Sequence, residues 1–288
     1  MKEKLGFTNG NFGRSIFRIA NFCFMIAVIC LMLIPLLKVL SDSMDKSGNY
    51  GLNFIPKNFT LSAYKTIITN IGLYKPFLIS VYVTVAGTVL ALLLTTMGAY
   101  VLTQKDMPGR NFFIYLLLFT MIFHGGLIPT FLLMKKLKLV NTLWAIIIPM
   151  SINTYYLILL KNFFSGIPQS LPESAEIDGC SPMGILVKII LPMSRPALAA
   201  IGLFYAVIYW NDFFNFVIYI NDPKLYNFQV KLREIVLSDD LRASIDAHVY
   251  AKSLQNATIV VAIIPVMILY PFLQKHFVAG INLGAVKG

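Results

Sequence analysis

Six apolar stretches, roughly 17–40, 78–102, 112–134, 143–160, 197–220 and 256–277, leave this chain few places to fold except a lipid bilayer. About 20 mainly apolar residues suffice to cross the hydrocarbon core as a helix, and each stretch approaches or exceeds that length. At 57% hydrophobic and 13% charged residues, the 288-residue chain also carries too much apolar surface for an ordinary soluble domain. The expected fold is all-α: a polytopic membrane protein of six transmembrane helices, with residues 1–16 as an N-terminal segment and 17–288 as the transmembrane domain. Lys38, His124 and Asp212 are the conspicuous interruptions. The first stretch follows a basic segment but is long and has no small-residue cleavage pattern after Leu40, so it reads as a retained helix. Cys23, Cys30 and Cys180 have neither disulfide-framework nor metal-ligand spacing and read as small packing residues.

The segment Ser170 to Pro196, SLPESAEIDGCSPMGILVKIILPMSRP, is the most structured polar island. Ser170 followed by Glu173 has capping-box spacing, and an acid in a first turn suits the positive end of the helix dipole. Gly179 supplies the backbone freedom that ends this short helix. Ser181-Pro182 then reads as an N-cap with proline at the first helical position, and Pro192 and Pro196 read as closing the second helix. Asp178 lies near the negative end of its own helix, where the dipole disfavours it, which suits an external contact or a cap; a solvated acid is the plain alternative.

At 100° per residue, Tyr205, Tyr209, Asp212, Phe216 and Tyr219 share one face of the fifth stretch, with Asn211 and Asn215 beside it. A carboxylate at the centre of a membrane helix costs on the order of 3 kcal/mol, so it turns to a cavity or a partner. Rings with amides and a carboxylate suit a sugar, whose C–H faces stack while its hydroxyls hydrogen-bond. The competing reading has the same groups bonding between helices. A second polar break after Pro149, Ser151-Ile152-Asn153-Thr154-Tyr155-Tyr156, is placed to line the same cavity or to hold helices together. His124 beside Gly125-Gly126 reads as a structural residue at a bend.

The polar island resembles the signature loop of ATP-binding-cassette importer permeases. Glu173-Ser174-Ala175, Asp178-Gly179-Cys180, Leu191-Pro192 and Pro196 match at the family spacing, with serine and cysteine replacing two alanines. Gly125-Gly126-Leu127-Ile128-Pro129-Thr130, Asn141-Thr142-Leu143-Trp144, Trp210-Asn211-Asp212-Phe213-Phe214 and the tail from Tyr270 to Gly288 are similar to the carbohydrate branch, and within it to the subgroup associated with complex oligosaccharides and polysaccharide fragments. The resemblance implies a permease that imports oligosaccharides by alternating access. Its implied partners are a second homologous permease, two ATPase subunits and an extracellular solute-binding protein, in a bacterial cytoplasmic membrane with both termini cytoplasmic.

By the same resemblance 170–196 is a cytoplasmic coupling loop, in which Glu173, Ser174, Ala175, Asp178 and Gly179 contact the ATPase. Asn153, Tyr156, Tyr209, Asn211, Asp212 and Asn215 are the substrate-path candidates. The chain has no Walker sequence, so ATP and Mg belong to the partner subunits; no cofactor, metal site or catalytic residue is expected here. A permease for peptides or another polar solute, or an ion-coupled carrier using Asp212 and His124, remain alternatives. No H-E-x-x-H or G-x-S-x-G motif supports a membrane enzyme. The formal charge of +11 is spread over both sides without a nucleic-acid module, which argues against a nucleic-acid partner. The lysines do not obey the positive-inside rule cleanly: Lys135, Lys136 and Lys138 crowd a short loop that the resemblance puts outside.

Overall fold

The computed structural model describes residues 10–46, 54–123, 125–237, 252–269 and 271. Among these the chain is helical, and the one strand-like contact is a bridge between Asp45 and Phe59. Two compact units divide it: Met1–Ile67 with Ser238–Val261, and Ile68–Leu237 with Ala262–Gly288.

In the first unit, α1 (Gly10–Ser43) has large apolar side chains exposed from Ile16 to Leu40, which is the surface of a helix that faces lipid or another subunit. Its C-terminal end is polar and buried. Lys38 pairs with Asp42, and the Asp45 carboxylate accepts the backbone N–H groups of Lys57 at 2.9 Å and Asn58 at 3.3 Å. The Ser43 hydroxyl meets that of Tyr64 in α2 (Ser62–Thr69) at 2.6 Å, and Ser253 donates to the Ser43 carbonyl. Each polar group carried into this end thus meets a partner.

The second unit is built on α3 (Ile71–Thr103), capped by Asn70, whose side chain accepts the Gly72 N–H. Its buried face recurs every three or four residues through Leu73, Pro76, Ser80, Val83, Gly87, Ala91, Thr95, Ala99 and Leu102. The small residues of that stripe let α11 (Arg195–Asn211) lie close. A Cβ added at Gly87 would sit 2.6 Å from the Tyr209 ring, and one at Gly202 would sit 3.1 Å from the Leu92 side chain. The helix α7 (Thr154–Ser165) packs on the same post, with Leu157 lying against Gly98. Glycine here is required by close approach and not by an unusual backbone angle.

Three apolar stretches form uninterrupted helices of crossing length: α1, α3 and the last described helix, which becomes α14 (Lys252–Leu269). The expectation of six continuous helices needs correction at the other three. Stretch 112–134 is α4 (Arg110–Ile122) and α5 (Leu127–Lys136), meeting at 116°; His124, in that bend, lies outside the described residues. Stretch 143–160 is the single turn α6 (Trp144–Ile147), an irregular run and then α7. Stretch 197–220 is α11, a break at Asp212 and α12 (Phe214–Tyr219). Beyond it come a 3₁₀ turn, Pro223–Leu225, and α13 (Phe228–Leu237). The breaks coincide with Gly126, Pro149 and Asp212, residues that supply an unusual backbone angle, lack a donor or offer a competing side-chain acceptor.

Gly87 gives a direct test of the α3–α11 contact. Gly87→Ala drives a methyl into a buried ring, an overpacking cost of about 1–3 kcal/mol, so the purified protein should melt several degrees lower. Adding Tyr209→Ala should recover part of that loss, because the two residues occupy one space. Strictly additive melting shifts would show that they do not.

Candidate functional site

Two arrangements in the second unit bring the candidate residues together. The first is a meeting of helix breaks. Tyr205, only 1% exposed, reaches from α11 to Thr95, its hydroxyl 2.8 Å from the threonine oxygen, and accepts the Asn153 backbone N–H at 3.0 Å. Tyr209 donates to the Ile147 carbonyl at 2.9 Å, at the end of α6. Asn153 caps α7, its side-chain oxygen accepting the N–H groups of Tyr155 and Tyr156. The break between α6 and α7 is therefore pinned at both ends by tyrosines from one helix.

Asp212 organises the neighbouring break. Its Oδ1 accepts both the backbone N–H and the side-chain amide of Asn215, and its carbonyl accepts the amide of Asn227. The Asn227 oxygen in turn accepts the Val230 N–H at the start of α13, while Ser80 accepts the Phe228 N–H. The second oxygen of Asp212 is buried without a hydrogen-bond partner.

The predicted aromatic-acid face is thus an inward one. Tyr205, Tyr209, Asp212, Phe216 and Tyr219 are all buried, and they do not lie on one continuous helix, because the helix stops at Asp212. Of the six path candidates, Tyr209 and Asp212 sit inside the chain's own core, and Asn215 is half-buried between Asp212 and Met150. Tyr156 stacks on Phe204 with ring centroids 5.4 Å apart. Asn211 is exposed and bonds its own helix at Val207. Asn153 alone borders an open cleft, about 440 Å³, with Thr120, Met121, Ile152, Thr154 and Tyr155. Thr120 was not foreseen, since it lies within an apolar run, whereas Tyr155 belongs to the polar break after Pro149 that was placed to line a cavity.

The second arrangement is the joint at Gly179. The helix α8 (Ser170–Ile177) ends in a Schellman pair, with the Cys180 N–H reaching Ala175 O at 2.8 Å and the Gly179 N–H reaching Glu176 O at 3.0 Å. Gly179 has φ +80°, a left-handed conformation suited to glycine, and an added Cβ would meet open space. Backbone conformation, not crowding, is therefore the requirement at Gly179. Ser181 caps the next helix through the Gly184 N–H, as its sequence indicates. Glu173, Ser174 and Asp178 are exposed, whereas Ala175 turns in against the core.

Two expectations at this joint are corrected. Ser170 is the first residue of α8 and not its side-chain cap, because the chain already turns at Pro168, where Leu171 N–H bonds the proline carbonyl, and Glu173 N–H bonds Gln169 O. Pro192 does not close the second helix. That helix runs through α9 (Pro182–Ile185), a π turn (Leu186–Ile190) and α10 (Leu191–Met193) to Ser194, where it meets α11 at 85°. The wider π turn precedes a residue with no N–H to give, so the proline is absorbed where it was expected to stop the helix.

Two contacts strap the joint to the end of α3: Tyr100 donates to the Pro182 carbonyl at 3.0 Å, and Lys105 to Gln169 at 2.8 Å. Neither was foreseen, since each partner lies more than 60 residues away. Ile177, at 87%, is more exposed than any other large apolar side chain among the described residues, although it stands on a polar helix.

Residues 5–283 match the family of binding-protein-dependent transport system inner membrane components. The chain belongs to that family. Among these transport components, the polygalacturonan/rhamnogalacturonan transport system permease protein of Bacillus subtilis (strain 168) is 44% identical over 279 residues, covering 94% of this chain and 97% of the relative. An arabinooligosaccharides transport system permease protein of Halalkalibacterium halodurans is 32% identical, covering 88% of this chain and 91% of the relative. The crystal structure of a bacterial transporter involved in import of the acidic polysaccharide alginate contains a chain that superposes with a TM-score of 0.87 at 29% identity, over 95% of this chain and 100% of that one. The permease resemblance read from Glu173 to Gly179 is thus a family relationship over nearly the whole chain.

Gly179→Ala and Gly179→Pro separate conformation from mere size at the joint. Alanine must enter a left-handed angle and should cost roughly 1 kcal/mol, leaving uptake reduced but measurable. Proline also removes the donor to Glu176, and should abolish coupled uptake while the protein still inserts. Equal, wild-type uptake by both variants would refute the assignment of the joint.

Proposed function

We propose that this chain is one of two related permease subunits of an ATP-driven oligosaccharide importer, with α8 as the cytoplasmic element that an ATPase subunit grips. The observation that carries the reading is the joint itself. An exposed acid, Glu173, and an exposed apolar residue, Ile177, stand on a short helix strapped to α3 and continuous through α9 and α10 with the corner of α11. Movement at α8 then reaches both helices whose contact pins the breaks. Ile177 is suited to a groove on the partner, and Glu173 to a basic group there. Ser174, Asp178 and Gly179 complete the contact, while Ala175 anchors α8 to its own subunit.

The substrate path in this reading runs by the cleft at Thr120, Asn153, Thr154 and Tyr155, which offers hydroxyls, an amide and a ring, the groups that match a sugar. Non-helical backbone at membrane depth is tolerated where it is buried in protein or lines a water-filled cavity, which suits the α6–α7 break to such a path. Tyr156, Tyr209, Asp212 and Asn215 hold the neighbouring breaks in register, and Asn211 faces outward from them. The relatives named for polygalacturonan/rhamnogalacturonan and arabinooligosaccharide transport support an oligosaccharide as cargo. The ATPases supply the nucleotide chemistry, with ATP and Mg in their own sites. The second permease and a solute-binding protein complete the complex, with both termini of this chain in the cytoplasm.

The test uses the reconstituted complex in sealed vesicles. Ile177→Asp with Glu173→Ala should lower ATPase co-purification and cut uptake more than tenfold, while the two permeases stay paired; a lost contact worth about 1.4 kcal/mol or more suffices for that factor. A protonophore should leave wild-type uptake intact. Uptake driven by an ion gradient without nucleotide would instead support a secondary carrier.

A further inference from the structure

The lysine cluster that breaks the positive-inside pattern has a defined place in the fold. Lys135 and Lys136 end α5, and Lys138 follows in the loop to α6; all three are exposed. The loop is held rather than loose. Lys138 and Asn141 both take left-handed backbone angles, φ +58° and +65°, which cost a residue with a Cβ roughly 1–2 kcal/mol. The Asn141 N–H bonds Tyr219 O at 2.7 Å, and its side-chain oxygen accepts the N–H groups of Asn221 and Asp222. Phe131 stacks on Tyr219 with the rings 7° from parallel. Exposed Lys224 stands two residues beyond Asp222, whose carboxylate accepts the Lys224 N–H.

The joint at Gly179 links the C-terminal end of α7 to the start of α11. The lysine corner instead links the start of α6 to the end of α12, with some 25 Å of α11 between the two, at about 1.5 Å per residue. If the joint is cytoplasmic, the corner is external, where lysines in a short loop run against the insertion bias. A strained, braced loop that keeps three cations there calls for an anionic ligand.

The composition selects among anions. Protein interfaces are depleted in lysine; the charged side chains exposed in this loop are three lysines close together in the chain, with Leu137 and Trp144 exposed beside them. Lysine is a mobile point charge without the bidentate fork of arginine, suited to passing contact more than to tight capture. Charges repeated along one edge suit a chain that repeats its own. We propose that Lys135, Lys136 and Lys138, with Lys224 beside them, receive the carboxylates of an acidic oligosaccharide as it enters the transport path. This inference rests on the importer reading given above.

The experiment uses the full complex in zwitterionic phosphatidylcholine vesicles with tetragalacturonate and its methyl ester, which share a backbone and differ in charge. K135Q/K136Q/K138Q should slow uptake of the free acid about tenfold at low ionic strength, with the deficit shrinking at high salt and ATP-dependence retained. Ester uptake should be the same in variant and wild type. An equal loss for acid and ester, or an equal loss of docking by the ligand-free binding protein, would assign the corner to protein docking. Unchanged acid uptake across the salt series would leave it a solvated face. Failure of wild type to import either sugar with ATP would strike the importer reading for acidic sugars itself.

Discussion

Tyr209 lying on Gly87 is the contact from which the architecture of the second unit follows. Lipid tails are as apolar as leucine, so membrane helices gain little by hiding apolar surface from them; close packing and polar bonds must hold them together. The stripe Gly87, Ala91, Thr95, Ala99 provides that closeness on α3, and α11 answers with two tyrosines. Each ring fills the space left by small residues, and each hydroxyl is carried to a fixed point beyond it. A larger residue at Gly87 would displace not only a ring but also the hydroxyl that serves Ile147.

Those hydroxyls explain how the chain tolerates broken helices. An unsatisfied backbone group in hydrocarbon costs several kcal/mol, so a break survives only where side chains replace the missing bonds. Tyr205 accepts from Asn153, Tyr209 donates to Ile147, Asp212 accepts from Asn215, and Asn227 donates to Asp212. The breaks are therefore supported both by caps of their own and from neighbouring elements. Moving α11 against α3 would disturb the break between α6 and α7 directly.

The helices that need only their own residues were legible in the sequence. A long apolar run predicts α3, and Gly179 with Ser181-Pro182 predicts the joint, because a left-handed C′ residue and an N-cap are local requirements. The breaks were less legible. Asp212 was recognised as costly in a helix, but it was drawn on a continuous face, whereas its side chain caps the restart at Asn215. Pro192 misled for the opposite reason: a π turn, invisible to spacing rules, accommodates it. Thr120 had no signal of its own, because it lies within an apolar run and Thr154, which its hydroxyl meets, is 34 residues away. Asn227 lies beyond the six apolar stretches, so its bond to the Asp212 carbonyl had no place in a reading built on them.

The joint also shows where stiffness and compliance lie. Gly179 closes a Schellman pair, and the straps from Tyr100 and Lys105 add two anchors, so α8 and the end of α3 are suited to move as one piece. The corner at Ser194 is held in place despite its 85° angle: Ser194 is fully buried, and its N–H is shared between the carbonyls of Ile190 and Leu191. The π turn between them is different. Its i→i+5 bond from Leu191 to Leu186 and the donor missing at Pro192 leave that run with fewer constraints than the helices on either side. If an ATPase grips α8 as proposed, a push there would meet α3 through the straps and α11 through the π turn, and a shift of α3 against α11 would bear on the breaks through their tyrosine contacts.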